Sequence, residues 1–255
     1  MNFIGTAVTD VGISKKINQD SLTLKMAYTS WGMVCMAVIC DGLGGLSRGE
    51  VASGNVIMAF DRWFKEKFLK SDFEWTKEQI QQDWEEIVFS MNTKIKEHGM
   101  RQGIELGTTI TAALFIQGKY YVIHVGDTRL YEIGTACRTI TKDQTLVEQE
   151  VERGIITEEE ALTDSRRNVL LQCVGVTEEL VPSFLSGDII ANAAYLICSD
   201  GFRHTVTPEE IYQSCRAAEN TSQEMMNKHL QELVEMNKQR GERDNISAIL
   251  IQIGN

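Results

Sequence analysis

The hydrophobic pattern of this chain changes its period in blocks. Short alternating or wholly apolar runs at residues 3–9, 21–28 and 33–40, bounded by Gly, Asp or Asn, read as strands. Two stretches follow in which apolar residues recur every three to four positions. Val56, Phe60, Trp63, Phe64 and Phe68 share one face; Ile80, Trp84, Ile87, Val88, Met91 and Ile95 share another. Strand-like runs return at 108–116, 120–125 and 129–133, with Gln117-Gly118 as a hairpin turn. Runs at 195–199 and 246–253 bracket a second pair of helices. Thr76 with Gln79 and Thr157 with Glu160 have the spacing of a capping box. Thr207-Pro208 with Glu210 opens one late helix, proline standing where its missing N–H is harmless. Thr221 and Glu224 are expected to open the other, whose inner face carries Met226, Leu230, Leu233 and Val234. Blocks of strands separated by helix pairs do not build a parallel sheet. They predict an α+β fold, two antiparallel β-sheets flanked by antiparallel helices, with the helical Met, Phe and Trp in the core.

A chain of 255 residues with 43% apolar side chains can bury a core without staples. The six cysteines form no CxxC pair and several sit in apolar runs, as reduced core thiols do. The four histidines form no HExxH, which argues against a helix-borne zinc hydrolase. With 25 basic and 36 acidic residues the net charge is −11, so a nucleic-acid partner is not expected. The longest apolar run, 33–40, is far below the roughly 18 residues of a membrane span. The N-terminus shows no basic segment followed by an apolar one, so a cytoplasmic protein without a membrane partner is expected. Only two prolines and no linker-like stretch predict one catalytic domain over 1–255.

Four aspartates stand where apolar strands end or begin. Asp41 follows residues 36–40, Asp127 follows 122–126, Asp200 follows 195–199, and Asp244 precedes the last strand. Asp-Gly is also an ordinary turn pair, so one occurrence means little. Four such tips gathered at one edge would repel one another unless cations were present. An all-oxygen site suits Mg²⁺ or Mn²⁺, and two such ions can activate a water and clamp a phosphoryl oxygen.

A series of motifs then occurs in order. It runs Asn18-Gln19-Asp20, Asp41-Gly42-Leu43-Gly44-Gly45, Arg48-Gly49-Glu50-Val51-Ala52-Ser53 and Gly107-Thr108-Thr109 in the first half. His124-Val125-Gly126-Asp127-Thr128-Arg129, Thr141-Lys142-Asp143, Cys198-Ser199-Asp200-Gly201 and Asp244-Asn245 complete it. The series resembles the metal-dependent protein phosphatases (PPM, type 2C serine/threonine phosphatases) in their bacterial form, and spans residues 18–245. The resemblance implies an αββα sandwich with a metal site at one end. Asp41 would bridge two Mn²⁺ or Mg²⁺ ions with the Gly42 carbonyl on one, and Asp200 and Asp244 would hold the other. Asp20 would orient water from behind, and Asp127 with Asp200 would match a third, weaker metal position. Lys15 takes the place of a phosphate-binding arginine as a point charge.

Leu43 stands where eukaryotic relatives carry a histidine, and Ser165-Arg166-Arg167-Asn168 lacks the usual His-Pro. Residues 144–168 would form the variable flap. The implied reaction is hydrolysis of phosphoserine and phosphothreonine monoesters by a water bridging two divalent ions. The partners would be phosphoproteins, in opposition to a serine/threonine kinase. No GxxxxGK loop and no cysteine-phosphatase loop competes with this reading. Two alternatives remain open: a regulatory binding module that keeps the fold without turnover, and a metal phosphodiesterase.

Overall fold

A computed structural model describes residues 1–43 and 48–254; Gly44 and Gly45 of the second motif lie outside them. The chain opens with β1 (Asn2–Asp10), β2 (Ser21–Thr29) and β3 (Gly32–Cys40), then α1 (Gly49–Arg62) and α2 (Lys77–Gln102). It continues through β4 (Ile110–Ile116), β5 (Lys119–Val125), β6 (Arg129–Ile133) and β7 (Cys137–Thr139). Two short helices, α3 (Leu146–Glu152) and α4 (Glu158–Thr163), precede β8 (Ser183–Asp188) and β9 (Ala194–Cys198). The chain closes with α5 (Asp200–Arg203), α6 (Pro208–Cys215), α7 (Gln223–Gln239) and β10 (Ile246–Gly254).

The strands form two five-stranded antiparallel sheets, ordered β1-β10-β9-β6-β7 and β2-β3-β4-β5-β8. Their residues explain why the strand runs are almost wholly apolar. In β3, Val34, Met36, Val38 and Cys40 pack under α1 and α2, while Cys35, Ala37 and Ile39 face the other sheet. In β10, Ala248 and Leu250 pack under α6 and α7, while Ile249, Ile251 and Ile253 meet β3 and β4 residues across the middle. A strand covered on both faces needs apolar residues on both, at the two-residue period of the pleat. The layers are therefore helix, sheet, sheet, helix, as the resemblance implies. All six cysteines are free and five of them buried. Among the described residues no helix is long and apolar enough to cross a membrane.

The capping boxes at Thr76, Thr157 and Thr207 are present with both hydrogen bonds. One start is corrected: α7 is capped by Ser222, whose hydroxyl accepts from Met225 N, not by Thr221. The periodic face over 56–68 is α-helical only to Arg62; Trp63–Phe68 winds as a π-helical turn. That wider turn places Trp63 5.2–5.6 Å from the rings of Phe68, Trp75 and Trp84. Strand β4 starts at Ile110; Thr108 makes only isolated bridges to Gly42 and Val174.

Candidate metal centre

Strand register brings the aspartates together. Ser21 pairs with Cys40, so Asp20 and Asp41 are the next residues out on neighbouring strands. Ala248 pairs with Cys198, so the residues entering β10 lie beside those leaving β9, and these are Asp244 and Asp200. One pair comes from each sheet. Each of Asp20, Asp200, Asp127 and Asp244 pushes up the pKa of Asp41 after the larger effect of its burial, which puts all five in one electrostatic neighbourhood.

The backbone around Asp41 is held tightly. Its N–H donates to Thr109 Oγ1 at 3.0 Å, and its carbonyl accepts from Thr109 N and from Thr108 Oγ1, each at 2.9 Å. Gly42 donates to the Gln19 carbonyl at 3.1 Å. A Cβ at Gly42 would stand 2.5 Å from the carbonyl oxygens of both Gln19 and Gly49, so only glycine fits. Asn245 fastens the opposite loop. Its Oδ1 accepts from Gln19 N at 2.9 Å, and its Nδ2 donates to Val11 O and Ile17 O. That loop delivers Lys15, whose Nζ lies 2.9 Å from Asp244 Oδ1. Burial alone would lower the Lys15 pKa, but Asp244, Asp41 and Asp200 outweigh it and hold it above the ordinary value.

Asp20 is buried and neither carboxylate oxygen has a hydrogen-bond partner; Asp200 Oδ1 has none either. Burial and the charges of Asp200 and Asp244 push Asp20 up to about 7, although the nearby Ser247 and Ser199 hydroxyls ease its charge. Asp127 is likewise raised to about 7, by burial first and Asp200 second.

Three residues that sequence reasoning did not single out support the acids. His204 stands between Asp200 Oδ2 at 3.5 Å and Glu242 Oε2 at 3.4 Å. Glu242 also accepts from the backbone N–H of Asp244 at 2.9 Å, linking the two aspartates. Burial pulls the His204 pKa down, but Glu242 and Asp200 win and hold it above the usual histidine value. Arg203 Nη2 lies 3.0 Å from Asp143 Oδ2 and 3.9 Å from Asp127 Oδ2, and donates to the Asp127 carbonyl. Arg129 grips Asp143 through two parallel hydrogen bonds of 2.7 and 2.8 Å. Burial would raise Asp143, yet these two guanidinium groups hold it below the ordinary carboxylate value. The spacing of Asp200, Arg203 and His204, i to i+3 and i+4, was the available signal, because such residues share a helix face.

Arg166 lies away from this cluster, bonded to Glu150 and Asp164 within the segment carrying α3 and α4. Gln144 ties the root of that segment to Gly126 and Ser183.

The donor set fits hard divalent cations. Buried carboxylate oxygens without hydrogen-bond partners, beside an Asp41 whose pKa is pushed up by its acidic neighbours, suit a positive charge among them. Among the described residues no three or more His, Cys, Asp or Glu side chains close up as a cage for one ion. A small hard cation does not need such a cage, because it keeps several waters and takes one or two carboxylates.

The protein phosphatase 2C family model matches residues 12–250. The serine/threonine phosphatase stp of Listeria monocytogenes is 30% identical over 230 residues, 85% of this chain and 84% of that one. The crystal structure of the Mycobacterium tuberculosis serine/threonine phosphatase PstP/Ppp superposes with a TM-score of 0.82 at 27% identity, covering 99% of both chains. The PstP catalytic domain in complex with two manganese ions superposes at 0.79 with 26% identity, again over 99% of both. A Streptococcus agalactiae serine/threonine phosphatase, 24% identical, shares the fold at 0.86 over 99% of this chain and 100% of that one. With its motif series, its αββα layers and its acid cluster at one end, the chain belongs to the protein phosphatase 2C family.

Proposed function

We propose that this chain is a phosphoprotein phosphatase that hydrolyses phosphoserine and phosphothreonine monoesters with two divalent ions, Mn²⁺ or Mg²⁺. The observation that carries the reading is the meeting of Asp20 and Asp41 from one sheet with Asp200 and Asp244 from the other, around carboxylate oxygens that lack partners. Asp41, the Gly42 carbonyl, Asp200 and Asp244 would hold the ions in this reading. The ions supply an activated water for attack on phosphorus and neutralise the phosphate dianion. Asp20, buried beside the Ser247 and Ser199 hydroxyls, would orient water at the site. Asp244 is held between its own loop and Lys15, so the lysine is placed to meet a substrate phosphate oxygen. The same reading takes residues 1–255 as one catalytic unit acting in the cytoplasm against a serine/threonine kinase.

Asp127 with Asp200 would hold a third, weaker ion in this reading. The buried Arg203 guanidinium, 3.9 Å from Asp127 Oδ2, offsets only part of the rise in the Asp127 pKa, which still stands at about 7.

The purified chain with Mn²⁺ is expected to hydrolyse an aryl phosphate monoester and a phosphothreonine peptide, and to stop when excess chelator is added. Metal-loaded protein that cleaves neither would reduce the chain to a binding module. A preference for bis-aryl phosphate would make it a diesterase. Lys15→Ala is expected to raise KM roughly 3- to 10-fold with little change in kcat, the effect of a part-exposed charge on a dianion. An unchanged KM would leave Lys15 as a partner of Asp244 alone.

A further inference from the structure

A cleft of about 380 Å³ runs between α1 and α2, and its charge is out of keeping with the rest of the molecule. Arg62 from the end of α1 and Lys94, His98 and Arg101 of α2 line it together with Met58 and Leu106. No acidic side chain lines it among the described residues. Lys94, His98 and Arg101 follow one another at i, i+4 and i+7, the spacing of one helix face. None of these four side chains makes an ion pair or hydrogen bond among the described residues. Elsewhere on the same helical layer Lys65 pairs with Asp61, and Lys67 with Asp83. The adjoining cleft shares Arg62 and Lys94 but carries Glu66, Asp83 and Glu86 farther along. Positive charge is thus concentrated at one end of the groove, in a protein of net charge −11.

The side of the cleft formed by Val51, Arg101 and Leu106 adjoins the aspartate cluster. Leu106 precedes Gly107, whose carbonyl accepts from Leu43 N at 3.0 Å, and Thr108 and Thr109 clasp Asp41. Three residues of extended chain, Leu106 to Thr109, span at most about 11 Å. A peptide with its phosphorylated residue at the aspartates therefore reaches the near end of the cleft after about three residues, and Arg62, about 20 Å along α1 from Gly49, after about six.

We propose that the cleft between α1 and α2 binds an acidic segment of the phosphoprotein substrate, a few residues from the phosphorylated serine or threonine. The proposal rests on the phosphatase reading for the placing of the phosphate, while the charge complementarity of the cleft is independent of it. Among the described residues Arg62, Lys94 and Arg101 have no acidic side chain beside them in the cleft, and a run of Asp or Glu side chains supplies the missing opposite charge. Met58, largely exposed at 57%, offers an apolar contact for the peptide stem.

Two phosphothreonine peptides test this, one with three glutamates three to six residues from the phosphothreonine and one with glutamines there. Each is made with the flank on either side. With Mn²⁺-loaded enzyme at low salt, the acidic peptide is expected to show a KM about tenfold lower in one of the two orientations. The difference should shrink toward unity near 0.5 M salt, where the Debye length falls to a few ångströms. The triple variant Arg62→Gln, Lys94→Gln, Arg101→Gln should lose the preference while hydrolysing a small aryl phosphate at the parental rate. Lys94→Gln alone should lose part of it. Equal KM values for the two peptides, or a preference that survives the triple variant, would overturn the proposal. Failure of the phosphatase reading is seen separately, as absent aryl phosphate hydrolysis. In that event, fluorescence anisotropy of a labelled, unphosphorylated glutamate-rich peptide in chelator still reads the cleft. Binding lost in Lys94→Gln supports the proposal, and no binding overturns it.

Discussion

Asp41→Asn is expected to lose at least about 10³-fold in phosphatase turnover, several kcal/mol of barrier at about 1.36 kcal/mol per tenfold, and yet to melt higher than the parent in chelator. The two signs come from one cause. In the metal-free fold Asp41 is pushed well above the carboxylate range by burial and by Asp20, Asp200, Asp127 and Asp244. Its ionised form at pH 7.5 is therefore a cost to the folded state, and an amide of nearly the same shape removes the charge. A rise of several degrees in Tm is expected. The bonds that clasp this residue use its backbone, so the substitution leaves them in place. With Mn²⁺ the order reverses: the parent gains Tm because the ion binds only the folded state, while Asp41→Asn gains little. Thermal melts in chelator and in Mn²⁺, beside an aryl phosphate assay, check all three. If Asp41 were a plain turn residue, the variant would keep its activity and its response to Mn²⁺.

Much of this arrangement was legible in the residues because it depends on local chemistry. The run at 33–40 had to be a strand buried on both faces, since both of its faces are apolar and the helices that cover one of them follow directly in sequence. Thr76, Thr157 and Thr207 announced helix starts through capping geometry that is complete within four residues. Elements whose identity comes from tertiary context were not legible. Strand β8 reads Ser-Phe-Leu-Ser-Gly-Asp and is a strand because β5 offers it an edge; β7 is three residues bonded to β6. The change from α to π winding at Trp63 answers an aromatic cluster assembled from residues up to 21 positions away. At the site, Asp41, Asp200 and Asp244 could be picked out as acids at strand tips. Their convergence rests on strand register and on two sheets meeting, which a periodic pattern does not encode. Glu242 was hidden for the same reason, while Arg203 and His204 offered only their i+3 and i+4 spacing from Asp200 as a signal until the fold set them against buried carboxylates.

The acid cluster also fixes how stability should depend on pH, with a sign that metal reverses. In the metal-free protein Asp20 and Asp127 titrate at about 7, against about 3.9 for an unfolded aspartate. Asp41 is raised well above its ordinary value too. Between pH 4 and 7 the folded state therefore holds protons that the unfolded state has released, and stability falls as pH rises through that window. His204, held above the usual histidine value despite its burial, extends the fall beyond pH 6.5. His124 opposes it. Burial between Thr111 and the Lys142 carbonyl lowers that histidine to about 4, so its contribution is full above pH 6.5 and is lost on acidification. Asp143 and Glu242, both lowered, matter only below about pH 4. Three raised carboxylates outweigh one depressed imidazole, so the Tm in chelator should decline from pH 5 to pH 8. Saturating Mn²⁺ keeps the ligating carboxylates ionised in the folded state and removes most of their part in the decline. The rising His124 contribution is then exposed, and Tm should hold level or rise from pH 5 to 6.5. The Mn²⁺-induced increment in Tm should accordingly grow with pH, each unit of carboxylate shift relieved being worth about 1.4 kcal/mol. A series of melts at half-unit pH steps with and without Mn²⁺ measures it. An increment independent of pH would mean that the ions do not sit among these carboxylates.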